Sequence, residues 1–351
     1  MPINFMKFSR HAAIALMSLG LIACASTTPA DQAPQSHASG GFSFGLWGDM
    51  PYAKSNDNPK IPNLIKSINH ADIAFSIYDG DIKDGSSKCS DDIYTDALKM
   101  FAQMAKPVVY VPGDNEWTDC HRLNNGGYDG LERLTHLRKV MFPTWSSLGQ
   151  QPMTLEHQGK LGEKYVENTR FTYGTVIFST FNIPGSNNNL ILNPKDCANK
   201  SARNAAQCDA SNAEFLERDA ANVVWLEQTF LAAKKQNAKG VVIVFQADPG
   251  FDLPETEDVD ESKHPGYSGY RNFMSQVENL TANFRGQVLL VHGDTHFFKI
   301  DKPLHSYFKL LPNLTRLQTF GSPHIHWVKV TVNPTSDNVF QISPVMVNQP
   351  H

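Results

Sequence analysis

A short apolar run ending at Gly-Asp occurs four times in this chain, and no other feature restricts its fold as much. The runs are 42–47 before Gly48-Asp49, 73–78 before Asp79-Gly80-Asp81, 108–111 before Pro112-Gly113-Asp114, and 288–292 before Gly293-Asp294. Short β-prone runs bounded by glycine read as buried strands. A fifth run, 241–245, leads into Gln246-Ala247-Asp248. Helical segments are expected over 62–70 and 91–105. The second places Ile93, Ala97, Met100, Phe101 and Met104 on one face. Strand-helix-strand alternation implies right-handed crossovers and parallel strands. Each Gly-Asp then falls just past the carboxyl end of its strand, where open α/β sheets bind ligands.

The remainder fits one domain over 42–345. A long helix is expected over 212–236, with Ser211 and Glu214 as its capping box and Phe215, Leu216, Val223, Leu226 and Phe230 at helical spacing. Residues 170–181 alternate as an antiparallel hairpin, and 298–342 add short strands. The stretch 251–270, acidic and then rich in Gly, Tyr and Pro, reads as a surface loop near the site. Hydrophobic residues are 41% of the chain, enough for a large core. A net charge of −4 gives no electrostatic footprint for nucleic acid.

The ends and cysteines point to export. Lys7 and Arg10 precede an apolar stretch, 12–23, that is too short to span a bilayer. Leu21-Ile22-Ala23-Cys24 resembles the lipobox of bacterial lipoproteins. That resemblance implies a signal peptide over 1–23, membrane anchoring through an acylated Cys24, and a flexible tether over 24–41. Ala25 after the cysteine implies the outer membrane, facing the periplasm or the cell surface. Four cysteines remain, and an even count in an exported chain suggests disulfides. Three connectivities are possible, of which Cys89–Cys120 with Cys197–Cys208 is favoured. No Cys-x-x-Cys supports a cysteine metal site.

Bringing several aspartates to one sheet edge is unfavourable, because like charges repel and burial strips their hydration. A divalent cation is the usual resolution. A single Gly-Asp is most simply a turn. Four at strand ends, one within His292-Gly-Asp-Thr-His296, favour a site.

With that motif order, the region 42–301 resembles the calcineurin-like metallophosphoesterase superfamily. Asp49-Met50-Pro51 stands where the family has Asp-x-His, and Gly80-Asp81-Ile82-Lys83-Asp84 matches Gly-Asp-x-x-Asp in full. Gly113-Asp114-Asn115-Glu116 replaces Gly-Asn-His-Asp/Glu. Gln246 stands for a lone His, and Gly293-Asp294-Thr295-His296 for Gly-His-x-His. The resemblance implies a four-layer α/β sandwich, with mixed sheets flanked by helices and two divalent metal ions at the sheet edge. Asp49, Asp81 and His296 would hold the first ion, where Pro51 removes one family ligand. Asp81 would bridge to a second ion completed by Asp114, Gln246 and Asp294, or by Asn115 in a shifted register. The replacements keep oxygens, which suits Mn²⁺ or Mg²⁺ better than Zn²⁺.

The implied chemistry is hydrolysis of a phosphomonoester or phosphodiester, small-molecule or lipid, by a metal-activated water. Asn115 occupies the family's acid position with Asp84 as its expected partner, yet an amide cannot supply a proton. His292 is the alternative acid, or else a satisfied core histidine. A second functional reading is a metal-binding lipoprotein that no longer hydrolyses and instead binds a ligand or partner. Arg316 could bind phosphate or form an ion pair. Lys83 could face phosphate or balance its acidic neighbours. Asn182 and the loop 185–189 could line a pocket or be ordinary polar structure. Trp47, Trp117 and Trp225 read as core. The loops around Ser55, Asn124 and His264 would shape the substrate pocket.

Overall fold

In a computed structural model, residues 40–251, 260–303 and 311–348 are described, and they fall in one unit spanning 36–351. The leader and acylation readings, the tether up to residue 39 and the acidic part of the 251–270 loop lie outside the described residues.

The twelve described strands are β1 (Phe42–Trp47), β2 (Ser76–Tyr78), β3 (Val108–Tyr110), β4 (Glu156–His157), β5 (Thr169–Tyr173), β6 (Val176–Thr180), β7 (Gly240–Val244), β8 (Gln287–His292), β9 (Lys299–Asp301), β10 (Leu314–Gln318), β11 (Trp327–Val332) and β12 (Phe340–Val345). They form two sheets. One has the order β12-β11-β1-β2-β3 and the other β4-β5-β6-β7-β8-β10-β9. The crossover strands are parallel as expected: β1 with β2 and β2 with β3 in the first sheet, β6 with β7, β7 with β8 and β8 with β10 in the second. The expected hairpin is β5 against β6, with Phe171 opposite Phe178.

Alternation along the strands builds the layers. Phe44 and Leu46 of β1 point between the sheets and meet Phe178, Val242, Leu289 and Val291. Aromatic packing is dense there: Phe75 meets Phe178 edge-on at 5.1 Å, and Phe171 stacks on Phe178 at 4.9 Å. Trp47 and Tyr78 point outward against helices α1 (Ile61–His70), α2 (Asp91–Phe101) and α3 (Gly130–Met141). On the other flank Val288 and Leu290 pack against α4 (Ala205–Lys235) and α5 (Arg271–Ala282). The order helix, sheet, sheet, helix is the expected four-layer sandwich. A side chain of this size contributes about 1.5–3 kcal/mol when fully buried, so the inter-sheet layer dominates the core.

Two boundaries differ from the expectation. Helix α4 starts at Ala205, about two turns before residue 212. Its true capping box is Asn204 with Gln207, whose side chain and backbone groups bond reciprocally at 2.9 and 3.0 Å. Ser211 lies inside the helix and donates to the Gln207 carbonyl, while Glu214 pairs with Arg218. A capping-box pattern can recur by chance within a helix; only a free amino end makes it a cap. Helix α2 stops at Phe101; beyond it Gln103 N and Met104 N bond three residues back, and Asn69 Oδ1 takes the Ala105 N–H. Both favoured disulfides are present, Cys89–Cys120 and Cys197–Cys208.

Candidate functional site

The four Gly-Asp turns meet although they belong to different sheets. Asp49, Asp81 and Asp114 follow β1, β2 and β3; Gln246 follows β7, and Asp294 and His296 follow β8. Backbone bonds tie the edges together. Asp49 N donates to the Gly80 carbonyl at 2.8 Å, Gly293 N to the Gln246 carbonyl at 2.9 Å, and Ser322 N to the Asp49 carbonyl at 2.9 Å. Asp294 N reaches between the sheets to Asp49 Oδ2 at 3.0 Å.

The glycines of the repeat have a packing role that a turn reading misses. A Cβ on Gly113 would lie 2.6 Å from Asp81 N and 2.9 Å from its Cγ. On Gly48 it would lie 3.0 Å from Asp79 Cγ, on Gly293 3.1 Å from Asp49 Cγ, and on Gly80 2.5 Å from Gln246 Cγ. Each glycine clears the volume that a side chain from a neighbouring turn occupies. The candidate site residues take the strained backbone: Asp49, Asp81, Asp294 and His296 have φ of 49°, 61°, 75° and 68°. Left-handed non-glycine residues concentrated at one edge mark a functional site more than a structural one.

Asp81 is tightly held. Its Oδ2 accepts from Tyr52 OH at 2.9 Å and Asn115 Nδ2 at 2.6 Å, and its Oδ1 from Asn115 N at 3.1 Å. Glu116 pins the third turn by accepting from Gly113 N, Tyr110 OH and Asp81 N. Gln246 Nε2 lies 3.4 Å from both Asp114 Oδ1 and Asp294 Oδ1, while its oxygen accepts from Gly185 N at 2.6 Å. Its oxygen, the atom a ligand role requires, is therefore engaged by the backbone.

Asp49 and His296 form the most suggestive pair. His296 Nδ1 faces the Ser322 carbonyl at 2.7 Å. A carbonyl only accepts, so Nδ1 carries the hydrogen. Burial lowers the ring's pKa, which keeps it neutral, so Nε2 presents a lone pair. That atom is 3.7 Å from Asp49 Oδ1, a buried oxygen with no hydrogen-bond donor. With Asp49 ionised, two acceptors would face each other there, an arrangement that a cation satisfies. A histidine oriented by a carbonyl on its far nitrogen is the usual support for a metal ligand. Among the described residues, no three Asp, Glu, His or Cys side chains already stand as a metal-holding group. The other carboxylates are bridged by the N–H and O–H donors just named.

Electrostatics express the same crowding. Burial, then Asp79 and Asp294, hold Asp49 far above the ordinary carboxylate range. Burial, then Asp114 and Glu116, do so for Asp81. Burial and then Asp114 raise Asp294. Asp119, missed by the sequence reading, is pushed up to about 8 by burial and then by Asp114. Ser186 Oγ joins the two, 2.9 Å from Asp114 Oδ2 and 2.8 Å from Asp119 Oδ1. Thus the 185–189 loop does line the site, with Ser186, Asn187, Asn188 and Asn189 all left-handed. Glu116 stood in the third motif without a role assigned to it, and no spacing marked Tyr52 or Asp119.

Other candidates fall elsewhere. Asp84 bonds Ser86 and Ser87 rather than Asn115; burial pushes its pKa up, but those bonds outweigh it and hold the group at about 2. Asn115 instead serves Asp81 and Tyr52. Buried His292 shares its strand face with Val288 and Leu290 and lies 5.6 Å from Phe251, in the flank core. Arg316 pairs with Asp301 and lies over Phe251. Asn182 bonds Glu167 inside the protein. Lys83 Nζ donates to the Asp84 carbonyl at 2.9 Å, and burial lowers its pKa. Trp47, Trp117 and Trp225 are buried.

The sequence matches no protein-family model and no curated protein. Among solved structures, one titled "Structure of PhoD" matches with a TM-score of 0.53 over 89% of this chain and 70% of that one, at 13% identity. GAP50, the anchor in the inner membrane complex of Plasmodium, matches at TM-score 0.41 over 88% and 90%, at 12% identity. Thermus thermophilus SoxB, a sulfate thiohydrolase solved with glycerol, matches at 0.40 over 83% and 43%, at 11% identity. The last two are too distant to carry an argument. The first shows the fold, which is of the metallophosphoesterase type.

Proposed function

We propose that this chain is a divalent-cation-dependent hydrolase of phosphate esters, working at the edge where the two sheets meet. The observation that carries the reading is the opposed pair of acceptors, Asp49 Oδ1 and His296 Nε2, with Asp81, Asp114 and Asp294 gathered beside it. Asp49, His296 and Asp81 would hold one cation; Asp114 and Asp294 would hold a second, with Gln246 joining only if its oxygen leaves the Gly185 N–H. Bound there, the cations would supply charge neutralisation and Lewis acidity toward a phosphoryl oxygen. The oxygen-rich set favours Mn²⁺ or Mg²⁺ over Zn²⁺.

The chain's own residues supply orientation. Tyr52 and Asn115 hold the Asp81 carboxylate in one rotamer, and the Ser322 carbonyl fixes the His296 ring. Asn115 contributes hydrogen bonds and no proton. Asp119 pairs with Arg122 and meets Asp114 through Ser186, so it fixes the 185–189 loop against the carboxylate edge.

A second reading has its own support. Asn115 cannot act as an acid, and Asp84 is committed to serines. A binding protein that retains the cation site without turnover fits those two facts. The two readings separate in one assay: hydrolysis of aryl phosphate monoesters and diesters with Mn²⁺, Mg²⁺, Ca²⁺ or Zn²⁺, beside Asp81→Asn. Cation-dependent turnover absent from the variant supports the hydrolase. Bound cation with no turnover above the variant supports the binding protein.

We also propose that the chain is exported and anchored through Cys24. The two disulfides support export, because such bonds persist in oxidising compartments. Mass spectrometry of the membrane fraction tests it: an unmodified Cys24 still following residues 1–23 would end the idea.

A further inference from the structure

Beside the carboxylate edge lies an open cleft of about 600 Å³, and its wall carries Arg122, Lys200 and Arg203 together with Asp119, Asp196, His121 and Ser186. Cleft and edge share a wall. Ser186 touches Asp114 and Asp119 from that wall, and Arg122 donates to Ser186 at 3.2 Å and pairs with Asp119 at 2.6 Å. Arg122 is thereby satisfied by the protein.

Arg203 is not. It is half-buried, its Nε is enclosed without a hydrogen-bond partner, and among the described residues no carboxylate pairs with it. Of the charges around it, Asp119 attracts it from beyond ion-pairing distance, Arg122 repels it, and Asp129 attracts it. The neighbouring His121 is kept neutral, its pKa lowered to about 3 by burial and then by Arg203 and Arg122. A guanidinium that has lost part of its hydration and formed no ion pair has donors left for an anion from outside.

The wall that presents these cations is built rather than loose. The Cys197–Cys208 disulfide closes it, and Arg122 and Ser201 form an isolated β-bridge. Leu123 N donates to the Lys200 carbonyl at 2.9 Å, and the Asn193 side chain caps a short helix, Pro194–Ala198.

We propose that this cleft is an anion subsite: it holds a second phosphate or carboxylate of a substrate whose ester lies at the carboxylate edge. Arg203 and Lys200 bind that group, and Arg122 is a positioning residue. The substrate class is then a phosphate ester with a further anionic group, rather than a simple alkyl or aryl phosphate. This inference rests on the hydrolase reading for the ester, while its anion binding can be measured apart from it.

The experiment is calorimetric titration of the full chain with inorganic pyrophosphate in EDTA. Without cations the acidic edge repels anions, so binding reports the cleft. Arg203→Gln weakens pyrophosphate binding about tenfold, the effect of removing a charge-assisted bidentate contact. Arg203→Lys recovers part of it, and Lys200→Gln weakens binding less. Arg203 has no protein partner to lose, and a melting temperature unchanged from wild type confirms that each variant is folded. Absence of pyrophosphate binding in the wild type, or equal affinity in Arg203→Gln, overturns the subsite. Displacement by soluble glycerol 3-phosphate or by phosphatidylglycerol vesicles supports it and tells a free metabolite from a headgroup; displacement by neither overturns it. With cations restored, Arg203→Gln lowers the kcat/KM ratio of an aryl ester bearing a second phosphate over one lacking it. If no ester is turned over yet pyrophosphate binding depends on Arg203, the hydrolase reading fails and the subsite stands.

Discussion

Replacing Gly113 by Ala tests whether the glycines of the repeat serve the carboxylates. The backbone at Gly113 is not left-handed, so the change acts through space alone. The new methyl would lie 2.6 Å from Asp81 N and 2.9 Å from Asp81 Cγ, with the Oδ1 atom nearer still. The turn at Asp81 N must shift and the carboxylate must rotate. Overpacking of this kind costs about 1–3 kcal/mol. Rotation also breaks bonds from Asn115 N and from Asn115 Nδ2 or Tyr52 OH, each to a buried carboxylate and worth about 1.5–3 kcal/mol. Allowing for partial relaxation, the expected loss is about 3–5 kcal/mol, or roughly 6–10 °C in Tm at about 2 °C per kcal/mol for a domain this large. Differential scanning calorimetry under oxidising conditions measures it, with Gly40→Ala as the control because nothing lies within 4 Å of that position. Cation-dependent turnover should fall together with stability, since Asp81 is displaced. A Tm within about 2 °C of wild type with full activity would refute the reasoning and return these glycines to the status of turn residues.

Other outcomes follow from the same contacts. Glu167→Gln leaves Arg138 buried opposite a neutral group where two bonds of 2.8 and 2.6 Å had satisfied it, and costs about 3–5 kcal/mol by urea unfolding. Burial raises the Glu167 pKa, but Arg138 and Asn182 more than reverse that, so the folded value lies below the ordinary one. Its stabilisation is therefore present above the unfolded pKa of about 4.3 and is lost as pH falls through the folded value. The gap between wild type and Glu167→Gln should close on going from pH 7 to pH 3; a gap that widens contradicts the assignment. Cys208→Ser opens the Cys197–Cys208 loop, of sequence separation 11, and should lower stability by about 2–3 kcal/mol in chemical denaturation. Turnover should be removed by EDTA and restored best by Mn²⁺ or Mg²⁺; a Zn²⁺ optimum would defeat the oxygen-rich reading of the site. Asp49→Ala should weaken Mn²⁺ binding at least tenfold in a calorimetric titration, and an unchanged affinity would remove Asp49 and His296 from the site.

Much of the molecule was legible in one dimension. Apolar runs of strand length, the Gly-Asp after each, and the amphipathic spacing of α1 and α2 are local properties, set by backbone preference and by which side chains leave water. They sufficed for the parallel crossovers and for the carboxyl-end location of Asp49, Asp81, Asp114 and Asp294; the even cysteine count favoured one of three disulfide pairings, which the fold then settled. What residues touch across the fold was not legible. Nothing in the chain says that the first three turns belong to one sheet and the fourth to another, nor that Gly293 makes room for Asp49 some 240 residues away. The Ser211 pattern looked like a cap because capping depends on which amino groups are free, and that is known only once Asn204 has ended the preceding loop. Asp84 matched its motif in full and yet turned to Ser86 and Ser87, since a carboxylate takes the nearest donors that packing offers. Residue types and strand ends are written in the sequence; the approach of Asp49 Oδ1 to His296 Nε2, and a guanidinium left without an ion pair at Arg203, exist only because tertiary packing sets the distances over which charges and lone pairs meet.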